Sequence, residues 1–526
     1  MVSPAAMTGV VASRSSVDFS RRPMLVFWET TRACLLACRH CRASATAKGP
    51  PGQLSTAEGR ALIDQVAGFG RPCPILVLTG GDCLLRPDLF DLVGYAVSLG
   101  IPVCLSPSVT PLLNAAMIGQ IARSGVRAVS VSLDGCRTQT HDGIRGIAGH
   151  LEKTTAVIAQ LAAADVTVQV NTTVMKHNVG DLPGIAAFLQ RTGVRIWEVF
   201  FLVQVGRGTA AAPLSPAGHE DVCHFLYDAS GYGFIVRTVE APFFRRVLAA
   251  RRAGASAPDS PLYRRLTAEL TSMLGPPARS PSAHTAPTRD GKGIVFIAHD
   301  GQVYPAGFLP LALSNIRARP LAAIYRDDPL LKSVRAARFT GRCGSCEYAD
   351  LCGGSRARAY VATGDALGPD PACPYQPAAR PMTAPDHGQR RHQTPPRRMP
   401  IAYERRAAGV GAQLAWPSVS ACPATAVNRE ATTSGRPGLP AGPRRAPTRS
   451  PGARRVRGCG LRRAPVHLGQ QISIPIAASL RDQPQGSGAR PGHHRLWPRG
   501  RRTSGLLITD PVPPGPGTER GARSPG

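Results

Sequence analysis

The chain has 526 residues and 14 cysteines, and its 63 Lys and Arg against 33 Asp and Glu give a formal net charge of +30. This length excludes a small disulfide-stapled scaffold, and no run reaches the roughly 18 apolar residues that a membrane-spanning helix needs. The N-terminus lacks the charged and apolar regions of a secretory signal peptide. We therefore expect a soluble, cytoplasmic protein with no membrane partner and with reduced thiols.

The positive charge is unevenly distributed along the chain. Residues 381–526 contain 24 Arg, no Lys and 6 acidic residues, and they are rich in Pro and Gly. Such a composition buries too little apolar surface to offset chain entropy, so we expect a disordered tail there. A basic tail could bind nucleic acid through counterion release, but a solvated segment or translation in a shifted reading frame explains the same composition. Nucleic acid is therefore not the expected partner.

An N-terminal tail is expected at residues 1–22, and from 23 to 245 short β-branched runs alternate with segments of helical period. Strands are predicted at 24–28, 75–78, 102–106, 128–134, 166–174 and 196–204. Helices are predicted at 56–68, 87–99, 111–124, 151–164, 183–191 and 217–229. This α/β alternation indicates a parallel sheet, either a barrel or doubly wound, in which ligands gather at the carboxyl ends of the strands.

The alternating pattern lapses at 246–290, which is predicted to be a linker carrying one amphipathic helix at 261–274. A compact pattern resumes over 291–380. It begins with two apolar runs around the turn residues 299–301, which predict a β-hairpin. A Cys-rich stretch then continues to Cys373.

The first predicted strand leads into Cys34, Cys38 and Cys41 in C-x3-C-x2-C spacing. Three thiolates on one loop can bind three irons of a four-iron cluster and leave the fourth iron open to an exogenous ligand, as a catalytic metal site requires. A zinc site is the alternative, but it needs a fourth Cys or His nearby, and His40 is poorly placed between two ligands. The spacing leaves both a 4Fe-4S cluster and a zinc site open, and the family resemblance given next favours the cluster.

This motif at the end of a first strand, with His40 in an aromatic slot, resembles the signature of the radical S-adenosylmethionine (SAM) superfamily. The second strand ends in Gly80, Gly81 and Asp82, where that superfamily has a Gly-Gly-Glu motif whose backbone receives the amino group of SAM. Two glycines let a backbone approach a ligand closely. Asp82 in place of Glu, and Cys83 in place of a common Pro, depart from the pattern. The resemblance implies a partial (β/α)6 TIM-like barrel with SAM as cofactor.

The resemblance also implies further cofactor-binding residues. Ser132 and Asp134 would face the pocket after the fourth strand, and Arg145 would meet the SAM carboxylate or a substrate acid. Asn171 on the fifth strand and the segment after the sixth look like contacts to the ribose and adenine of SAM. The plainer interpretation is that Ser132 and Asn171 are satisfied polar residues at strand ends, and that Arg145 pairs with Asp142.

A second cysteine group, Cys343, Cys346, Cys352 and Cys373, follows in C-x2-C-x5-C-x20-C spacing. Four thiolates fully ligate either a structural zinc or a four-iron cluster. Beside a radical SAM barrel the group resembles the SPASM or twitch extension, which implies a small C-terminal α+β iron-sulfur domain with an auxiliary 4Fe-4S cluster. Ala306 stands where that extension often has another Cys, so one auxiliary cluster is predicted.

The resemblance implies an oxidoreductase whose first cluster is reduced by a ferredoxin or flavodoxin-like electron donor. SAM is then cleaved to methionine and a 5′-deoxyadenosyl radical, which abstracts hydrogen from a substrate. The auxiliary domain favours a peptide substrate. The alternatives are a tetrapyrrole side chain, as in haem pathways, and a non-catalytic iron-sulfur electron carrier or scaffold. A tetrapyrrole would need arginines for its propionates, and the candidates are Arg145, Arg207, Arg237, Arg356 and Arg358.

Overall fold

The computed structural model describes residues 18–378 apart from 282 and 284. The tail predicted at 381–526 therefore lies outside the described residues, as does most of the predicted N-terminal tail. Within the described part, residues 18–22 pack on the body of the protein, because the hydroxyl of Tyr325 donates a 2.7 Å hydrogen bond to the carbonyl of the buried Phe19.

One sheet of ten strands organises the described residues. The strands are β1 (Leu25–Glu29), β2 (Ile75–Thr79), β3 (Val103–Leu105), β4 (Ala128–Ser132), β5 (Val168–Val174), β6 (Ile196–Phe201), β7 (Ile235–Val239), β8 (Ile294–Ile297), β9 (Gln302–Tyr304) and β10 (Ser314–Asn315). Their spatial order is β10, β9, β8, β1, β2, β3, β4, β5, β6, β7. The strands from β1 to β8 are parallel, and β9 and β10 are antiparallel additions. The predicted α/β fold with an open, partial barrel is confirmed.

Helices connect the parallel strands and cover one face of the sheet. They are α1 (Thr56–Ala67), α2 (Leu89–Ser98), α3 (Ala115–Arg123), α4 (Thr138–Arg145), α5 (His150–Ala163), α6 (Leu182–Thr192), α7 (Pro216–Ala229), α8 (Phe244–Arg252), α9 (Pro261–Leu274), α10 (Leu321–Asp327), α11 (Pro329–Arg335), α12 (Gly341–Ser345) and α13 (Arg356–Thr363). The predicted start of α1 is confirmed, because Ser55 and Glu58 form a reciprocal capping box. In the described part no helix has the length and apolar character needed to cross a bilayer.

Burial alternates along the strands and separates the two faces of the sheet. In β4 and β5 every second residue is buried under the helices, while the residues between them are half-buried on the concave face. The buried set includes Val129 and Val131, and the concave set includes Ser132 and Asn171. Polar side chains on several strands thus share the inner side of the barrel.

The structure adds elements that the sequence pattern did not predict. The strand β7 extends the sheet beyond the six predicted strands, and β8 pairs in parallel with β1. The hairpin of β8 and β9 was predicted correctly, but it continues the barrel sheet. By contrast, the helix predicted at 261–274 within the expected linker is present as α9, and its Leu266 and Leu270 are buried in the main core.

Candidate functional site

The segment 34–41, which we call the cysteine loop, follows β1 and is fixed from both sides of the barrel mouth. The amide of Cys34 donates to Thr46 at 2.8 Å, and that of Arg39 donates to Ile144 at the end of α4 at 2.9 Å. From the segment after β6, the guanidinium of Arg207 donates to the carbonyls of Cys38 at 2.9 Å and Ala45 at 2.8 Å. That segment was expected to contact SAM, and in this structure it clamps the cysteine loop.

The Gly80-Gly81 turn after β2 packs directly against the backbone that leads into the cysteine loop. The amide of Gly81 donates to Thr31 at 2.8 Å, and that of Asp82 donates to Ala33 at 2.7 Å. A Cβ atom on Gly80 would lie 2.5 Å from the Thr31 carbonyl oxygen, and one on Gly81 would lie 2.3 Å from that of Ala33. Only glycine allows the two backbones to approach so closely, so this turn fixes the position of the cysteine loop.

The Asp82 side chain points away from the open barrel. Its Oδ1 accepts the amides of Leu84 and Ser108, both at 3.2 Å, and its Oδ2 accepts the Thr110 hydroxyl at 3.0 Å. Burial raises the pKa of this carboxyl, although the three hydrogen bonds oppose the shift. Asp82 therefore ties β2 to the segment after β3.

A buried ion pair joins α4 to the cysteine loop. Arg145 donates through Nη2 to Asp134 Oδ2 at 2.6 Å and through Nη1 to Cys38 Sγ at 3.5 Å. The Nε2 of His40 lies 3.3 Å from the same Asp134 oxygen. Asp142, the partner considered for Arg145, instead accepts the amides of Gly149 and Leu151 before and within α5. Arg145 is therefore engaged by Asp134.

Burial and neighbouring charges set the protonation states around Asp134. Burial favours the neutral acid, but Arg145 and then His40 lower the pKa of Asp134 below its usual value. Burial lowers the pKa of His40 to about 4, and Asp134 only partly opposes this. At neutral pH a neutral His40 thus faces a charged Arg145–Asp134 pair.

Two histidines that were not predicted from the sequence form a hydrogen-bonded chain that begins at the backbone amide of Asp134. The amide of Asp134 donates to His141 Nδ1 at 3.1 Å, and the other ring nitrogen of His141 lies 2.9 Å from His150 Nδ1. His150 Nε2 lies 3.0 Å from the Val109 carbonyl, which can only accept. The chain of bonds thus assigns each proton to Nε2. In the sequence, the only indication of a role for these two histidines was their position in or shortly after α4, next to the expected pocket.

Unpartnered polar atoms surround the cysteine loop. Among residues 18–378, excluding 282 and 284, the buried His40 Nδ1, Arg145 Nε and Arg207 Nη2 have no hydrogen-bond partner. Buried polar atoms normally have partners. SAM carries a carboxylate, an amine and ribose hydroxyls, so these residues fit such a ligand, and three thiolates beside them fit a cluster with an open iron.

The concave face of the sheet carries a polar chain below this loop. Ser132 and Asn171 are register partners on β4 and β5. Gln169 donates to Asn171 at 2.8 Å and to Glu198 at 2.9 Å, and Arg237 of the unpredicted β7 donates to Gln169 at 3.4 Å. Burial raises the pKa of Glu198, although Arg237 lowers it. The side-chain oxygen of Asn171 thus accepts a hydrogen bond within this polar chain.

An aromatic wall borders the same concave face near β8. The Arg42 guanidinium lies 4.5 Å from the ring centre of Phe296 and 6.0 Å from that of Phe308. Phe200 of β6 meets Phe308 with ring centres 6.1 Å apart. Arg42 also pairs with the buried Glu29 at 3.3 Å. None of these residues was predicted, because each is an ordinary apolar or charged residue in the sequence.

The second cysteine group lines one recess, which we call the auxiliary recess. Cys343, Cys346, Cys352 and Cys373 all face it, and it encloses about 420 Å³ of empty space including its open mouth. The amide of Gly354 donates to Cys352 Sγ at 3.4 Å, and that of Asp370 donates to Cys343 Sγ at 3.5 Å. The structure thus brings the four predicted ligands together from three chain segments.

The spacing of the thiols bears on the kind of metal group. In the described part of the chain, no three His, Cys, Asp or Glu side chains converge on a position suited to a single metal ion. A four-iron cluster does not need such convergence, because each thiolate binds a different iron. Amide donors to sulfur are also typical partners of cluster ligands.

Comparison with known proteins agrees with this arrangement. The family model for the radical SAM superfamily matches residues 28–189. An AdoMet-dependent heme synthase of Methanosarcina barkeri is 35% identical over 366 residues, which are 69% of this chain and 100% of that protein. The chain belongs to the radical SAM superfamily.

Two further comparisons extend this result. The mycofactocin maturase MftC of Mycobacterium ulcerans is 29% identical to this radical SAM chain, over 71% of the chain and 93% of that protein. The crystal structure of Streptococcus suis SuiB bound to the precursor peptide SuiA superposes with a TM-score of 0.50 and 14% identity, covering 68% of this chain and 76% of that one. The latter likeness concerns the fold. As a radical SAM enzyme, the protein uses a four-iron cluster and SAM.

Proposed function

We propose that this radical SAM enzyme abstracts hydrogen from a side chain of a carboxylate-bearing tetrapyrrole. The observation that carries the proposal is Arg237, a half-buried guanidinium on the concave face that donates to the neutral Gln169 and lies opposite Glu198, a carboxyl whose pKa burial raises. A guanidinium in this position can pair with a substrate carboxylate. The 35% identity to a heme synthase over that protein's whole length supports the same substrate class.

The cysteine loop would hold the catalytic cluster through Cys34, Cys38 and Cys41. When bound, the cluster and SAM supply the 5′-deoxyadenosyl radical. Within the chain, Gly80 and Gly81 let the loop approach the β2 end, and Arg207 holds its carbonyls. The Arg145–Asp134 pair would place one guanidinium edge toward SAM.

The other arginines considered for propionates do not converge with Arg237. Arg145 is paired with Asp134, and Arg207 bonds the cysteine loop. Arg356 bonds the carbonyls of Gly354, Ala366 and Gly368, and Arg358 is paired with Asp370. Arg237 is therefore the candidate among these arginines for a propionate, and the apolar wall of Phe200, Phe296 and Phe308 offers a surface for a macrocycle.

A peptide substrate, favoured by the sequence resemblance, is the second candidate. The observation behind it is the 29% identity to a mycofactocin maturase over 93% of that protein. The auxiliary recess does not by itself distinguish the two substrate classes.

The same proposal includes an electron donor of the ferredoxin or flavodoxin class and a cytoplasmic location. Every cysteine among the described residues is a free thiol, which a reducing compartment preserves. We assign the auxiliary recess a 4Fe-4S cluster held by Cys343, Cys346, Cys352 and Cys373. An electron carrier without catalysis would make no 5′-deoxyadenosine, so that product separates it from the enzyme.

The test combines anaerobically reconstituted protein, dithionite and SAM with either a propionate-bearing iron tetrapyrrole or a short peptide. We expect 5′-deoxyadenosine release to rise with the tetrapyrrole, together with a mass change in that compound. Arg237→Gln should raise the KM for the tetrapyrrole while substrate-free SAM cleavage stays unchanged, and Arg237→Lys should restore part of the affinity. Arg123→Gln, on the exposed end of α3, is the control. Stimulation by the peptide alone would contradict the proposal.

A further inference from the structure

Guanidinium groups crowd the auxiliary recess. Arg246 and Arg342 line it beside the four cysteines. Arg356 donates to Cys343 Sγ at 3.7 Å. Arg245 donates to the carbonyl of Leu351 at 3.3 Å, directly before the third cysteine. Four guanidinium groups therefore lie at or beside the recess.

Two of these cations, Arg245 and Arg356, have no carboxylate among their described hydrogen-bond partners. The described hydrogen bonds of Arg245 go to two carbonyls, and those of Arg356 go to three carbonyls and a sulfur. Burial lowers the pKa of Arg245 to about 10, an effect that Cys352 opposes. In the described residues the Nε atoms of Arg245 and Arg246 also have no hydrogen-bond partner. A buried cation without an anionic partner is costly, so an anion is missing from its surroundings.

Acidic groups nearby supply that anion only in part. Asp290 lies near Arg356, but burial raises the pKa of this carboxyl, although Arg356 opposes the shift. Asp370 lines the recess, but both of its oxygens accept hydrogen bonds from Arg358. Glu220 neutralises Arg246 alone. Asp350 is 82% exposed and pairs with Lys292 on the surface. The four cysteine thiolates and what they bind are left as the counter-charge.

We propose that Arg245, Arg342 and Arg356 are a counter-charge that raises the reduction potential of the auxiliary cluster. This rests on the cluster proposed above. An oxidised four-iron cluster with four thiolates is a dianion, and one added electron makes it a trianion. The electron comes from the substrate radical as product forms. Nearby cations stabilise the trianion more than the dianion, because the attraction scales with the cluster charge.

The hydrogen bonds to sulfur act in the same direction. The amides of Gly354 and Asp370 and the guanidinium of Arg356 all donate toward thiolate sulfurs. Such bonds remove electron density from sulfur and favour the reduced cluster. The recess thus combines two features that stabilise added negative charge.

The test is a redox titration of the full-length protein in which Cys34, Cys38 and Cys41 are all changed to Ala, so that only the auxiliary cluster remains. The electron paramagnetic resonance signal of the reduced cluster gives the midpoint potential. We expect Arg245→Met to shift the midpoint to a more negative value and Arg245→Lys to keep it near the parent value. Arg342→Gln, at the half-buried rim, should give a smaller shift in the same direction.

The control variant removes a positive charge that lies outside the recess. Arg264→Gln removes an exposed guanidinium of α9 that pairs with Asp259 and lies outside the recess, so it should leave the midpoint unchanged. Unshifted midpoints in both Arg245→Met and Arg342→Gln would overturn the proposal. If Arg245→Met does not load a cluster, Arg342→Gln decides alone. Zinc without iron in the parent protein would also overturn it, whereas a wrong tetrapyrrole substrate would leave the titration unaffected.

Discussion

The contact between Gly81 and the cysteine loop leads to a sharp prediction for Gly81→Ala. The added Cβ would lie 2.3 Å from the Ala33 carbonyl oxygen and 2.7 Å from its carbon, whereas ordinary contacts begin at 3.4 Å. The two backbones must therefore separate by about 1 Å, and Cys34 directly follows Ala33. Overpacking of this kind costs about 1–3 kcal/mol. A displacement of about 1 Å at a reacting group can lower a rate by about 100-fold.

We expect Gly81→Ala to release 5′-deoxyadenosine about 100-fold more slowly than the parent protein, with a lower melting temperature. The matched control is Gly94→Ala on the exposed face of α2, where a Cβ would meet nothing within 4 Å. Alanine favours a helix over glycine by about 1 kcal/mol, so this variant should be slightly more stable and fully active. Parent-like SAM cleavage by Gly81→Ala would refute the packing argument.

Three further predictions concern single contacts. Arg207→Ala removes the hydrogen bonds from this guanidinium to the carbonyls of Cys38 and Ala45, so the amount of iron bound after reconstitution should fall. Arg39→Ala, at an exposed position on the same loop, should bind as much iron as the parent protein. Cys136 is exposed, but partial burial and then Asp181 raise the pKa of its thiol to about 11. Alkylation of Cys136 at pH 7.5 should therefore be at least about 100-fold slower than alkylation of an ordinary thiol. The Asp181→Asn variant should be alkylated faster than the parent protein. Burial lowers the pKa of His219 to about 4, so the unfolded chain binds a proton at this residue more readily than the folded protein as the pH falls below about 6.5. Between pH 7 and 5.5, the free energy of unfolding measured in urea should therefore fall by about 1 kcal/mol less in His219→Gln than in the parent protein.

The parts of the fold that the sequence predicted are those encoded by local patterns. The helices and strands from β1 to β6 alternate with strong apolar runs, and Ser55 and Glu58 mark a helix start within four residues. The strand β7 escaped prediction because Arg237 and Thr238 interrupt its apolar residues, and only Val236 is fully covered. A short strand whose inner side faces a polar cavity carries little hydrophobic signal.

The cysteine sites could be predicted because the spacing of the ligands is a local feature of the sequence. The residues that surround each site come from distant parts of the chain and could not be predicted in this way. Asp134 meets His40 and Arg145 only through the fold, and Arg245 reaches the auxiliary recess from a different helix. The sequence marked Arg145 as a basic residue near a pocket. It could not show that an aspartate already neutralises this side chain, because that depends on the packing of α4 against the barrel.

The two cysteine sites differ in charge although both are lined by thiols. Beside the cysteine loop, Asp134 neutralises Arg145, and the unpartnered atoms are suited to the polar groups of SAM. At the auxiliary recess, Arg245 and Arg356 bond carbonyls and a sulfur, so their charge acts on whatever the cysteines hold. With the auxiliary cluster and counter-charge proposed above, clusters of one type would have different potentials, with the auxiliary one higher. An electron released by a substrate radical would accordingly be drawn to the auxiliary cluster and away from the cluster that must reduce SAM.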